Sequence, residues 1–340
     1  MDDGSVNVFD QTITERWAIY NSDCIEMMRG LPENSAHFCM FSPPFSSLYT
    51  FSDDPRDVSN NADDAVFWQH YRFVLQGVFR AMKPGRLVSI HCMDLPSSIT
   101  RDGFISIKDF SGDNIRLCQE VGFHYHSKVT IRKDPVSAMQ RTKALGLLHK
   151  QVVKDSAMSR MAIADYIVTM RKPGESDEPV SGIFETYHGD DMTDAEMTAY
   201  AASTFESGGN RTLADHKSIQ IWQRYAEPVW MDIAQSDVLS HRVAREEHDE
   251  RHISPLQLTP IRRCLDLWTN PGDVVLSPFV GIGSVGYVAI EMDRKFIGAE
   301  LKASYYRQAC ANLRLAERQR NDGTLFDLMN AEPVSLFGEI

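Results

Sequence analysis

The sequence predicts an α/β protein built on a doubly wound, mostly parallel sheet. Three observations carry that expectation. Short β-rich runs alternate with helical patterns, a strand, glycine turn and helix stand in succession near the C-terminus, and a rigid Ser-Pro-Pro-Phe turn follows an apolar strand near the N-terminus.

The candidate strands, in order, are Trp17 to Tyr20, Ala36 to Phe41, Arg86 to His91, His124 to Ile131, Asp165 to Met170, Asp273 to Ser277 and Lys295 to Ala299. Each is rich in β-branched or aromatic residues and short enough for one pass of a sheet. Helical periodicity is clearest over Ala65 to Met82, closed by Lys83-Pro84-Gly85, over Leu258 to Trp268, closed by Asn270-Pro271-Gly272, and over Ala303 to Arg318. No internal repeat or low-complexity tract interrupts the pattern.

The chain has 340 residues, 43% hydrophobic and 24% charged, which allows a sizeable core and argues against wholesale disorder. No run approaches 18 apolar residues, and Met1 to Asp10 is acidic with no apolar segment, so neither a membrane span nor a secretory signal is expected. The six cysteines, Cys24, Cys39, Cys92, Cys118, Cys264 and Cys310, form no Cys-x-x-Cys pair. They fit neither a zinc site nor a disulfide framework, and a reducing cytoplasm is the simplest home.

Net charge is −12, but it is unevenly laid out. Residues 128–172 carry 10 Lys or Arg against 3 acids, whereas residues 174–250 carry 5 against 17. Lys172-Pro173-Gly174 marks the change of sign, so the expected organisation is a first part of a catalytic domain over 1–173, an inserted module over 174–250, a second part over 251–320 and a tail over 321–340.

Two constellations carry chemistry. Asp273-Val-Val-Leu-Ser277-Pro-Phe279-Val-Gly281-Ile-Gly283-Ser284-Val-Gly286 reads as strand, glycine turn and helix, with Glu300 closing the next strand. Glycines let backbone amides approach a ligand, and a carboxylate at that strand end suits ribose hydroxyls, which together describe a nucleoside-cofactor site. The same letters satisfy the dinucleotide fingerprint, but the 40 residues after Glu300 are too few for the further strands such a fold needs. The second constellation is Ser42-Pro43-Pro44-Phe45. Two prolines stop the strand and leave carbonyls, a hydroxyl and an aromatic face to meet an amino group and a planar ring.

With both in view, the chain resembles the S-adenosylmethionine-dependent DNA amino-methyltransferases, in their circularly permuted β-class order. The Ser-Pro-Pro-aromatic turn precedes the Phe-x-Gly-x-Gly motif, Glu300 resembles the ribose ligand, and Asn21-Ser22-Asp23-Cys24 resembles the segment whose acid meets the cofactor's adenine. The segment from His252 through Pro255 and Gln257 into the following helix resembles the one beside the cofactor's methionine end. Ser277 stands where that family usually has an acid, and the module in the target-recognition position is acidic where a basic one is usual.

The resemblance implies S-adenosylmethionine held by Asp23, Ser277, Phe279, Gly281, Gly283, Ser284 and Glu300, with Ser42, Pro43, Pro44 and Phe45 catalytic. It implies double-stranded DNA as partner, gripped through Lys128, Arg132, Lys133, Arg141, Lys143 and Lys150, with the target base flipped out. It also leaves room for a homodimer and for a paired restriction enzyme. Ser at the head of the turn favours N4 of cytosine over N6 of adenine. Neither a metal nor a membrane is expected, and His124-Tyr125-His126 reads as packing. None of the cysteines follows a proline, so covalent attack on a base is unsupported. Asp53, Asp54 and Asp57 read as a solvated loop, with a lid as the sharper alternative. A protein or small-molecule methyltransferase, and a non-catalytic interaction module, are the competing classes.

Overall fold

A computed structural model of the chain describes residues 8–44, 64–97, 103, 106–142, 147–206, 210–240 and 255–330. Nine strands form one sheet in the order β1-β2-β11-β10-β3-β4-β8-β7-β9. These are β1 (Asp10–Ile13), β2 (Trp17–Asn21), β3 (Ala36–Phe41), β4 (Met82–Met93), β7 (His124–Ile131), β8 (Asp165–Arg171), β9 (Val229–Trp230), β10 (Val274–Ser277) and β11 (Lys295–Ala299), while β5 (Leu95–Pro96) and β6 (Ile107–Lys108) pair separately. From β2 through β11, β10 and β3 to β4 every pairing is parallel, and β8 runs antiparallel to both β4 and β7. The doubly wound expectation holds, and all seven candidate strands are present.

The period of two within each strand divides the core between two faces. In β3, Cys39 and Phe41 face the cluster formed by α1 (Cys24–Arg29), α2 (Asp64–Ala81) and α3 (Phe110–Val121), which buries Met28, Tyr71, Leu75 and Cys118. Phe38 and Met40 face the other way. There, helices α8 (Leu258–Trp268), α9 (Ser284–Glu291) and α10 (Ala303–Asn330) bury Ile261, Cys264, Val288, Ala289 and Leu313.

Lys83-Pro84-Gly85, expected to close a helix as a turn, instead lies inside the first part of β4, with Gly85 at φ 74°. α10 runs to Asn330 where the pattern placed its end at Arg318, so the first part of 321–340 is helical. α3 was not foreseen: Asp109 caps its start, and Gly122 closes it at φ 119°.

Two short helices, α4 (Pro135–Thr142) and α5 (His149–Lys154), follow β7. Within 174–240 lie α6 (Asp194–Thr204), α7 (Leu213–Tyr225) and β9. The segment is pinned by several contacts. Glu178 meets His37 Nε2 and Lys83 Nζ, each at 3.1 Å. Trp230 of β9 sinks into the core on the α8 face. Arg263 of α8, fully buried, pairs with Asp232, donates from Nε to the His188 carbonyl at 2.7 Å, and lies over the rings of Tyr225 and Trp230.

Candidate active site

β3 stops at Phe41 because Pro43 and Pro44 lack the N–H that continued pairing would need. β10 stops one strand away, its register set by Val275 opposite Phe38 and Leu276 opposite Cys39. The two turns therefore emerge side by side. Phe41 and Phe279 meet edge to face with ring centres 5.7 Å apart. Chain connections diverge between these strands: β10 leads through α9 to β11 on one side, and β3 leads through α2 to β4 on the other. Ligand sites in such sheets lie at the carboxyl ends of the strands, at this kind of switch point.

The glycine turn is held from several sides. Gly281 and Gly283 take φ values of 57° and 91°, a region side chains disfavour. The Glu300 carboxylate accepts from Gly281 N at 2.7 Å and from Lys302 N at 2.9 Å, and buried Asn312 Nδ2 donates to the Ile282 carbonyl at 2.7 Å. A Cβ placed on Gly281 would point into open space, whereas one on Gly283 would meet Leu313 Cδ1 at 2.9 Å. Gly281 thus leaves room for a ligand and Gly283 for packing. Ser284 is buried in the first turn of α9. Ser277, also buried, donates its hydroxyl to the Phe279 carbonyl at 3.1 Å and so braces the turn from within.

Glu300 follows β11, and Asp23 follows β2, the next strand along. One Asp23 oxygen caps α1, accepting from Ile25 N at 2.8 Å and Glu26 N at 3.1 Å. Asn21 Nδ2 donates to the carbonyls of Glu300 and Leu301 at 2.8 and 2.9 Å and ties the two strand ends together. An acid, a glycine turn and a second acid therefore line three adjacent strand ends. The cradle left by Gly281, flanked by carboxylates, fits a cofactor bearing hydroxyl and ammonium groups.

At the Ser-Pro-Pro turn, Pro43 and Pro44 are buried and Ser42 is half-buried. Ser42 Oγ lies 3.4 Å from His91 Nδ1 of β4. His91 Nε2 faces Asp165 Oδ2 of β8 at 3.6 Å, and Asp165 Oδ1 takes a 2.6 Å ion pair from Lys133. Burial alone would raise the Asp165 carboxyl, but His91 and Lys133 hold it below the usual carboxylate range. The sequence reading missed His91 and Asp165. A polar residue inside Leu-Val-Ser-Ile-His-Cys, and an acid opening an otherwise apolar strand, were the available signals.

Phe45, Asp53, Asp54, Asp57, Lys143 and His252 lie outside the described residues, as does the side chain of Arg141. Of the other cations assigned to DNA, Arg132 and Lys150 are exposed, while Lys133 is engaged with Asp165. Lys128 donates to Ser111 Oγ at 2.8 Å and sits 3.8 Å from the Tyr166 ring centre. His126 meets Trp268 edge-on, and His124 is exposed. All six cysteines are buried, and burial pushes Cys118 up to about 12.

Among solved structures, PvuII DNA methyltransferase, a cytosine-N4-specific enzyme, superposes with a TM-score of 0.58 at 16% identity over 96% of this chain and 98% of its own. TTHA0409 of Thermus thermophilus, in complex with S-adenosyl-L-methionine, gives 0.57 at 20% identity over 89% and 94%. At such identities the likeness is one of fold. The type II methyltransferase M.BglII of Bacillus subtilis is 39% identical over 71 residues, 20% of each chain. The DNA adenine methyltransferase YhdJ of Escherichia coli K12 is 37% identical over 67 residues, 20% of this chain and 23% of that one. The chain thus covers only about a fifth of these curated relatives. The family model for N6 and N4 DNA methylases matches residues 36–311, a span that contains both turns, Glu300 and the His91–Asp165 pair. The chain belongs to the DNA methylase family of N6 and N4 methyltransferases.

Proposed function

We propose that the protein transfers a methyl group from S-adenosylmethionine to the exocyclic amino group of a base flipped out of double-stranded DNA, with N4 of cytosine the favoured acceptor. The observation that carries this reading is the meeting of the Ser-Pro-Pro turn with the glycine turn at neighbouring strand ends, joined by Phe41 and Phe279.

S-adenosylmethionine, when bound, supplies a methyl group already activated on a sulfonium. The chain's own residues hold it and prepare the acceptor. Glu300 and Asp23 take its polar groups, and Phe279, Gly281, Gly283 and Ser284 form the floor of the cradle, with Ser277 bracing the turn beneath them. An exocyclic amine is a poor nucleophile because its lone pair is delocalised into the ring. Ser42 Oγ and the Pro43 carbonyl accept hydrogen bonds from the NH2 and favour a more tetrahedral nitrogen, with Pro44 keeping the turn rigid and Phe45 stacking on the base. Flipping costs a few kcal/mol, offset by that stacking and those hydrogen bonds.

Arg132 and Lys150, with Arg141 and Lys143, neutralise phosphates. The 174–250 segment supplies sequence choice or subunit contacts, and the catalytic parts over 1–173 and 251–320 act as one permuted unit. No helix among the described residues is long and apolar enough to cross a membrane. Incubating duplex DNA with the protein and S-adenosylmethionine, then separating the nucleosides by mass spectrometry, tests the reading. N4-methylcytosine is the expected product. N6-methyladenine alone would move the acceptor to adenine, and unmodified DNA would defeat the proposal.

A further inference from the structure

The Ser42 hydroxyl raises a question of direction. To accept a hydrogen bond from an amino group with both lone pairs free, it must send its own hydrogen elsewhere. His91 Nδ1, 3.4 Å away, is the group it meets. Whether Nδ1 can receive that hydrogen depends on which ring nitrogen is protonated. Nε2 is buried, makes no hydrogen bond among the described residues, and faces Asp165 Oδ2 across 3.6 Å. Asp165 is only 4% exposed, and Lys133 neutralises it at 2.6 Å. A carboxylate can only accept, so it selects the tautomer with hydrogen on Nε2 and leaves Nδ1 bare. The opposite tautomer would point a lone pair at the carboxylate and an N–H at Ser42, turning the serine hydrogen toward the base's own N–H groups.

We propose that His91, fixed by Asp165 and Lys133, is the positioning residue that keeps Ser42 an acceptor for the base's amino group and receives the proton the serine passes on. The proposal rests on the reading that Ser42 contacts that amino group. As the amino nitrogen's lone pair forms its bond to the methyl carbon, whose bond to sulfur breaks with both electrons left on sulfur, the nitrogen is left positively charged with one proton to lose. That proton moves to Ser42 Oγ while the Ser42 hydrogen moves to His91 Nδ1. The imidazolium so formed faces Asp165, and when the product leaves, the proton returns through Ser42 to water. No side chain ends the cycle changed.

The distances of 3.4 and 3.6 Å are longer than settled hydrogen bonds. Such contacts tighten when a substrate completes the site. Charged groups that also lie near this pair among the described residues include Asp94, just after β4, Asp109 before α3, and Lys128 of β7. Asp94 and Lys128 lie around Cys92 and Tyr166, and Asp109 lies near Tyr166.

Two measurements test the proposal. In the full-length protein without DNA or S-adenosylmethionine, 15N spectra of labelled histidine, with His91 assigned through His91→Gln, are expected to show Nε2 protonated and Nδ1 bare at neutral pH. A protonated Nδ1 with bare Nε2 overturns the proposal. In single-turnover methylation, His91→Gln lowers the rate on the order of 100-fold. Its affinities for S-adenosylmethionine and DNA stay within about threefold of wild type, the split expected of a residue that acts on the chemical step.

A slow Ser42→Ala beside a His91→Gln that keeps the wild-type rate sinks the histidine alone. A Ser42→Ala that turns over at the wild-type rate sinks the reading of Ser42 and this proposal with it. Should His91→Gln fail to fold, Asp165→Asn carries the test. It is expected to move hydrogen to Nδ1 and slow the reaction, and an unchanged tautomer overturns the proposal.

Discussion

The glycine turn and the Ser-Pro-Pro turn follow neighbouring strands, yet they are held in different ways. Around Gly281 and Gly283 the partners are backbone groups and side chains of adjoining elements: Glu300 on two amides, Asn312 on the Ile282 carbonyl, and Ser277 on Phe279. That half is satisfied before any ligand arrives. Around Ser42 the partners are His91, Asp165 and Lys133, drawn from β4, β8 and the segment after β7, and the contacts of His91 are longer. Preorganisation by backbone suits a cofactor of fixed shape. A chain of titratable side chains suits a step in which a proton must move.

Substitutions can break this contrast in order of size. Gly283→Ala should destabilise the fold by about 2 to 5 kcal/mol, the left-handed backbone and an overpacked Leu313 adding together. Gly281→Ala, with open space around its Cβ, should cost only about 1 to 2 kcal/mol and act on cofactor affinity instead. Urea melts of the two variants check the difference, and equal losses would mean that both glycines serve packing.

Next in size, Ser42→Ala should slow methylation on the order of 100-fold while leaving S-adenosylmethionine affinity within about threefold. Single-turnover rates and calorimetry separate the two quantities. Glu300→Ala should do the reverse, weakening the cofactor roughly 10- to 200-fold through the loss of charged hydrogen bonds. At saturating cofactor its rate should stay near wild type, and a rate that stays low would show that the two halves do not act independently.

The smallest effect concerns DNA. Replacing exposed Arg132 and Lys150 with alanine should lower the salt slope of binding by about two units. Lys128→Ala should leave it unchanged, because that ammonium is engaged by Ser111 and Tyr166. Titrations at several salt concentrations distinguish the two cases.

The same contrast governs what could be read from the chain. Gly281, Gly283 and Glu300 were legible because glycine and a strand-end acid announce a local backbone shape, and the acid that holds Gly281 follows it by 19 residues. Ala36 to Phe41 was legible for a similar reason, being an apolar run ended by two prolines. His91 and Asp165 were not, since periodicity identifies β4 and β8 as strands without saying that they pair antiparallel. The basic stretch was misleading as a sum. Charge counts cannot tell Lys133, turned inward to Asp165, from Arg132 beside it, which is exposed. α3 escaped because its opening Ser-Gly-Asp-Asn is a poor helix start by propensity, and Asp109 and Gly122 supply through caps what the interior lacks.

The sheet's two margins have a consequence for handling the protein. A nine-stranded sheet would offer long open edges to any second chain, yet its outermost strands here are β1, of 4 residues, and β9, of 2. Each is a poor template for intermolecular pairing, and β9 caps the end of β7 at Thr130 and Ile131. β9 also buries Trp230 beneath the margin it closes, which anchors the cover. Cutting away residues 174–240 would therefore free the Thr130 and Arg132 amides, which now donate to the Pro228 and Trp230 carbonyls, and uncover the apolar surface that Trp230 fills, a change that favours aggregation.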